Sequence, residues 1–401
     1  MKNCEFWIWL ERTLGPGAVL DDIINYYGSA ADVYQAGRSD WILTGLLNGK
    51  QIQSLTRFSP SESAKIINDC QRNNWQIITP DDAEYPPLLR TIRDFPAVLY
   101  ADGNTELLYS EQFIAMVGTR KASAYGIKSA GIISGQLSNA GMCIVSGGAL
   151  GIDTAAHEGA LTSGHPTVCV LGCGLGTDYL RENYALRNEI RKNGVIITEY
   201  PPFTPASRYT FPKRNRIISG MSLGTVVVEA GERSGSLITA RLASEQGRDV
   251  YAIPGSVFAS SFNGANKLIS DGAKPVFTAK DILEEYYYRY PDKIKTENTD
   301  IPLSNFVREN SVEFEKPEPV KIQREVKRKA VPETVKEIKK TLPDSAGETA
   351  KMIYGCFKDE ATLDEIAENT ALDIRKILTG ITELEMYGVI EMMPGNKYRK
   401  K

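Results

Sequence analysis

Phe211-Pro-Lys-Arg-Asn-Arg-Ile217 sets Lys213, Arg214 and Arg216 in one short segment without an acid, in a chain of 401 residues whose formal net charge is -3. A local basic cluster on a globally acidic protein marks an anion site rather than general adhesion to polyanions. Glycine-punctuated segments elsewhere in the chain are suited to the same ligand. Gly118-Thr119-Arg120 follows an apolar run: glycine lets the backbone approach an anion, the Thr119 hydroxyl donates a hydrogen bond, and Arg120 forks onto phosphate oxygens. Ser146-Gly147-Gly148 leads through Gly151 to Asp153, and Gly172-Cys173-Gly174 is a third junction. Glu229-Ala-Gly-Glu-Arg-Ser234-Gly235-Ser236 is a fourth, where hydroxyls and amides at a helix start would face a phosphate; an ordinary N-cap by Ser234 is the alternative. Four junctions together with the cations favour a nucleotide or a nucleic-acid backbone.

The spacing excludes some chemistry. The glycines after the first strand do not fit G-x-G-x-x-G, and no G-x-x-x-x-G-K-[ST] is present, so neither a dinucleotide cofactor nor P-loop ATP hydrolysis is expected. Asp153 and His157, four apart, would share a helix face; a first-turn acid that favours the helix dipole explains Asp153 better than catalysis does. His165, the other histidine, receives no role. Six cysteines show no C-x-x-C pair, which implies no disulfide framework and no metal site.

These residues need a frame. Apolar runs at 113–117, 143–145, 167–171, 195–198, 225–229 and 250–253 alternate with helical patterns, which predicts an α/β fold of the doubly wound, Rossmann-like kind. In such sheets ligands bind beyond the carboxyl ends of the strands. Residues 1–75 read as a helical module, in which Leu14-Gly15-Pro16-Gly17 resembles a helix-hairpin-helix turn or is simply a tight connection. The sheet domain spans 76–288, a Lys-, Glu- and Pro-rich stretch at 289–346 reads as a disordered linker, and 347–401 shows the three helices and hairpin of a winged helix. The apolar N-terminal stretch is too short to span a membrane, so a cytoplasmic protein is expected.

Gly118-Thr-Arg120, Ser146-Gly-Gly-Ala-x-Gly-Ile-Asp153, Phe211-Pro-x-Arg-Asn-Arg-Ile-Ile-Ser-Gly220, Val228-Glu-Ala230, Ser234-Gly-Ser-Leu237 and Pro254-Gly255 together resemble the DprA/Smf family. The resemblance is strong from about Trp75 to Tyr288 and looser over the helical front, which would be a SAM/helix-hairpin-helix-like module, and the winged-helix tail. It implies a non-enzymatic protein that binds single-stranded DNA, forms a homodimer, and loads the recombinase RecA during natural transformation, with single-strand-binding protein as a further partner and no cofactor. Carried over by position, the DNA-facing residues are Gly118, Thr119, Arg120, Ser146, Gly147, Gly148, Phe211, Lys213, Arg214, Asn215, Arg216 and Ser234, with Tyr209 as a second stacking platform. Leu268 and Ile269 mark the self-association surface or else belong to the core. Leu180 departs from the family, which often has proline there. The tail's acids, among them Glu365, Glu368, Glu383 and Glu385, argue against backbone binding to duplex DNA and favour a protein contact.

Two other readings compete. The fold also resembles that of cytokinin-activating phosphoribohydrolases, whose glutamate after P-G-G-x-G-T has no counterpart in Arg233-Ser-Gly-Ser-Leu-Ile-Thr-Ala240. A duplex-DNA regulator would act through residues 346–401.

Overall fold

The computed structural model of the protein describes residues 4–299, 342–343, 346–356, 360–370, 372–393 and 397–400. They belong to two compact units, Met1–Val320 and Lys321–Lys401. The first begins with five helices, α1 (Cys4–Leu14), α2 (Asp21–Tyr27), α3 (Ala30–Thr44), α4 (Gly49–Arg57) and α5 (Ala64–Arg72). Asn48 and Gln51 form a reciprocal capping box that starts α4. Trp7, Ile8, Trp9 and Leu10 of α1 are buried in the same apolar cluster as Leu99, Tyr100 and Val170, so the helical front and the sheet share one core. Trp7 Nε1 donates to Asp81 at 2.7 Å across that junction.

The chain then alternates: β1 (Gln76–Ile78), β2 (Leu99–Gly103), β3 (Phe113–Val117), α6 (Ala124–Asn139), β4 (Cys143–Ser146), α7 (Ile152–Thr162), β5 (Thr167–Val170), α8 (Tyr184–Asn193), β6 (Val195–Thr198), α9 (Thr210–Gly220), β7 (Gly224–Val227), α10 (Ser236–Glu245), β8 (Asp249–Ala252), α11 (Asn263–Ser270), β9 (Lys274–Pro275) and α12 (Lys280–Tyr286). The strands form one nine-stranded sheet in the order β1-β2-β6-β5-β4-β3-β7-β8-β9. From β6 to β9 all pairings are parallel. β3, β5, β6 and β7 are buried along their whole length, as near-continuous apolar runs require when helices cover both faces.

The sheet differs from the expected one at its margins, where β1 and β2 add an antiparallel edge. After β6 the chain returns through α9 to lay β7 beside β3, so the connections leaving β3 and β7 run in opposite directions. That reversal opens a crevice at their carboxyl ends. Residues 289–299, expected within the linker, are still packed: Ile294 is buried, Tyr290 donates to Glu111 at 2.9 Å, and Lys295 N donates to the Ala140 carbonyl. Most of the remaining linker stretch lies outside the described residues.

The second unit contains α13 (Glu348–Cys356), β10 (Glu360–Thr362), α14 (Leu363–Thr370), α15 (Ile374–Met386), β11 (Ile390–Met393) and β12 (Lys397–Lys400), with a small sheet in the order β10-β12-β11. This is the winged-helix outline with one strand, β10, that the sequence pattern missed. Its core gathers Ile353, Ile366, Ile377, Ile381 and Leu384. Two of the acids noted in the sequence serve as caps: Glu365 accepts from Thr362 N at 2.8 Å, and Glu383 accepts from Gly347 N at 2.8 Å. Glu368 and Glu385 are exposed.

Candidate nucleic-acid interface

The reversal between β3 and β7 holds a cavity of about 420 Å³. Gly118, Thr119 and Arg120 just after β3, Phe211, Arg214 and Asn215 from α9, and Ser234 just before α10 all line it. Gly118 has to be glycine, because a Cβ there would run into Ile152 of α7 and the Glu229 carbonyl. Arg120 is exposed, its guanidinium carbon 5.2 Å from the centroid of Phe211, and it forms no hydrogen bond or ion pair among the described residues. Phe211 in turn lies 5.3 Å from the Tyr179 ring, tilted by 40°. Ser234 and Ser236 share a hydrogen bond of 2.8 Å at the N-terminus of α10. The cavity thus presents a cation without a counterion, an aromatic platform and a helix start, a combination suited to a phosphate linked to a flat base.

The remaining residues of the basic segment divide by depth. Only the first turn of α9 reaches the surface; from Arg216 onward the helix is buried. Lys213 is exposed and donates to the Pro16 carbonyl at 3.1 Å, which draws the Gly15-Pro16-Gly17 turn beside the basic segment. Arg214 lines the cavity but is only 4% exposed. Its guanidinium donates to the carbonyls of Gly147, at 2.7 Å, and Val170, so it clamps the ends of β4 and β5 from below. Burial lowers its pKa, and the nearby Asp153 carboxylate works in the opposite direction. Arg214 therefore supplies positive potential from the cavity floor instead of swinging out as a free contact.

Arg216 corrects the expectation of a DNA contact. It is 3% exposed and pairs with Glu199 at 2.6 Å and Asp94 at 3.1 Å, outside the cavity. Burial alone would discourage its charge, but the two carboxylates outweigh that and raise its pKa.

Ser146, Gly147 and Gly148 likewise do not line the cavity. All three are buried. The Ser146 hydroxyl donates to the Met116 carbonyl at 2.6 Å, and a side chain at Gly147 would overlap the Arg214 guanidinium. These residues shape the floor on which Arg214 rests.

Two carboxylates of the chain itself are held near the four strand-end junctions. Asp153 accepts from the N–H groups of Gly147 and Ala149 at 3.2 and 3.3 Å. Burial raises its pKa while Arg214 opposes the rise. Glu229 accepts from Ser123 N at 2.9 Å and Ser123 Oγ at 2.8 Å, which closes the start of α6. The Gly172 junction is packed against Phe211. Of the four, Gly118–Arg120 and Ser234–Ser236 are left facing the cavity. Glu229 is the structural residue that sequence reasoning passed over; its signal was an isolated acid at the end of an all-apolar strand.

Asp153 and His157 do not form a pair. His157 Nδ1 bonds Thr167 Oγ1 at 2.8 Å, and burial, reinforced by Arg214, pushes its pKa down to about 3. His165 Nε2 bonds Asn139 at 2.8 Å. Tyr209 is exposed just before α9, with Arg208 over its ring at 4.8 Å, and does not line the cavity. Leu180 has φ 50°, a conformation closed to proline, so the loop after β5 takes its own course where the family often has that residue. Leu268 and Ile269 are half-buried on α11 and pack against the main core. Among the described residues there is no group of three metal-ligating side chains, and no helix is long and apolar enough to cross a membrane.

A sequence profile of the family described as DNA recombination-mediator protein A matches residues 76–287, and one described as the DprA winged helix domain matches residues 344–396. Among curated proteins, DNA processing protein DprA of Bacillus subtilis is 44% identical over 202 residues, covering 50% of this chain and 68% of that protein. Protein Smf of Escherichia coli is 33% identical over 354 residues, 87% of this chain and 84% of that one. The X-ray structure of DprA from Streptococcus pneumoniae matches with a TM-score of 0.61 at 34% identity, over 71% of this chain and 99% of that one. With the sheet, the glycine junctions and the winged helix all in agreement, the chain belongs to the DNA recombination-mediator protein A family.

Proposed function

We propose that this protein binds single-stranded DNA in the crevice between β3 and β7, without chemical turnover, and presents the strand to a RecA-type recombinase. The observation that carries the DNA reading is Arg120, unpaired and held 5.2 Å over the Phe211 ring at the mouth of the cavity. A single strand offers flat bases and a charged backbone together, whereas duplex DNA keeps its bases stacked inside. Binding rather than hydrolysis is favoured because the carboxylate that lines the cavity, Asp153, is engaged by the backbone amides of Gly147 and Ala149.

Transfer to RecA, displacement of single-strand-binding protein and service in natural transformation rest on the family resemblance, and the cytoplasm is where those partners act. Self-association through α11 rests on the partial exposure of Leu268 and Ile269, and a dimer would gain affinity by holding one strand at two sites.

Filter binding of single-stranded and duplex DNA of equal length across a salt series tests the reading. Single-strand preference with a steep salt dependence is expected. Equal affinity for both forms, or release of base from nucleoside monophosphates, would overturn it. For the recombinase step, added protein should speed RecA filament formation on DNA precoated with single-strand-binding protein; an unchanged rate would remove that part.

A further inference from the structure

A second cavity, of about 260 Å³, opens beyond the carboxyl end of β5 and is lined by Trp75, Tyr179, Tyr184, Arg187 and Arg191. Arg191 is engaged, with Asp102 at 3.4 Å and with Asn188. Arg187 is different: it is half-buried, lines the cavity, and makes no hydrogen bond or ion pair among the described residues. The acids that line the cavity with it, Asp178 and Asp102, are paired with Arg181 and Arg191, and Arg187, although close enough to Asp178 to favour its charge, keeps its donors for an incoming anion. Around it stand three aromatic side chains, of which Tyr184 is 46% exposed.

The two cavities are linked by stacked side chains. Arg120 lies over Phe211, Phe211 lies against Tyr179, and Tyr179 lines the second cavity. We propose that this second cavity is a further nucleotide subsite on the single-strand path: a strand seated on Phe211 continues across Tyr179, Arg187 binds a backbone phosphate, and Trp75 and Tyr184 flank a base. This rests on the single-strand reading of the first cavity and extends the bound length beyond it.

The test uses the full chain and oligothymidylates of about four and about ten residues, within the lower range of single-strand site sizes. Arg187→Gln breaks no bond in the fold. It should weaken the longer oligonucleotide about tenfold, lower its salt slope by about 0.7, and leave the shorter one unchanged. Tyr184→Ala, at an exposed ring, should show the same length dependence. Of the four tryptophans, Trp7, Trp9 and Trp41 are buried, so quenching of fluorescence by the longer oligonucleotide reports Trp75. Unchanged affinity for the longer strand in folded Arg187→Gln would overturn the proposal. So would equal weakening at both lengths, which would mark a general field effect. If the parent binds neither length, the reading of the first cavity fails and takes this one with it.

Discussion

Lys213 and Arg216 lie within one turn of α9, yet they occupy opposite environments. Lys213 ends at the surface against the Pro16 carbonyl, and Arg216 is sealed between Glu199 and Asp94. Arg214, between them, is buried like Arg216 but faces the cavity, and it bonds carbonyls in place of carboxylates. Partners decide what a cation does. An arginine matched to acids has its charge compensated within the fold, one bonded to carbonyls keeps its field, and an exposed cation is open to a ligand. The same division runs through the acids: Asp153 satisfies amides of the turn after β4, Glu229 closes the start of α6, and the start of α10 is left toward the cavity.

The largest effect should come from the sealed cation. Arg216→Ala leaves Glu199 buried without its counterion and should cost about 3–5 kcal/mol in urea unfolding. A variant that keeps parental stability but loses DNA would reverse the assignment of Arg216. Glu11 sharpens the same comparison by pH. Its carboxyl is 6% exposed with one oxygen unpartnered, and burial, with Glu199 nearby, pushes its pKa from the ordinary 4.5 up to about 8. The folded state therefore keeps a proton that the unfolded chain releases. The resulting stability is complete below about pH 4.5 and is lost as pH rises to about 8, amounting to about 3 kcal/mol between about pH 5 and pH 7.5. Glu11→Gln should flatten that slope; an unchanged profile would show that other groups carry it. Smaller again is Gly147→Ala, which crowds the Arg214 guanidinium and should cost about 1–3 kcal/mol while weakening DNA binding by displacing the floor. Parental stability and binding in that variant would show that Arg214 has room to shift.

The central strands were legible because burial on both faces demands unbroken apolar runs, and β3 and β5 to β7 supply them. The margins were not. β1 is three residues long and mostly accessible, β2 ends in Asp102-Gly103, and β9 is a two-residue strand containing Pro275, so none carries a pattern above its surroundings. Likewise β10 is too short to stand out from the helix that follows it. At the site, glycine spacing marked close backbone approaches, which require glycine whichever ligand is bound, yet Gly147, Gly148 and Gly172 lie outside the cavity that Gly118 and Gly235 line. Exposure was not readable. Arg216 meets Glu199 from a different element, a long-range match that local charge density conceals.

We propose that Arg120 at the cavity and exposed Lys213 beside it on α9 meet phosphates, while Arg216, sealed between Glu199 and Asp94, does not. The salt dependence of single-strand binding tests it most directly, with the parent compared against Arg120→Ala and Lys213→Ala, each with stability within about 0.5 kcal/mol of the parent. Each substitution should flatten the plot of log K against log salt by about 0.7, and Arg216→Lys, which keeps the buried charge, should leave the slope unchanged. Parental slopes in both folded alanine variants, or a reduced slope in Arg216→Lys, would contradict the account.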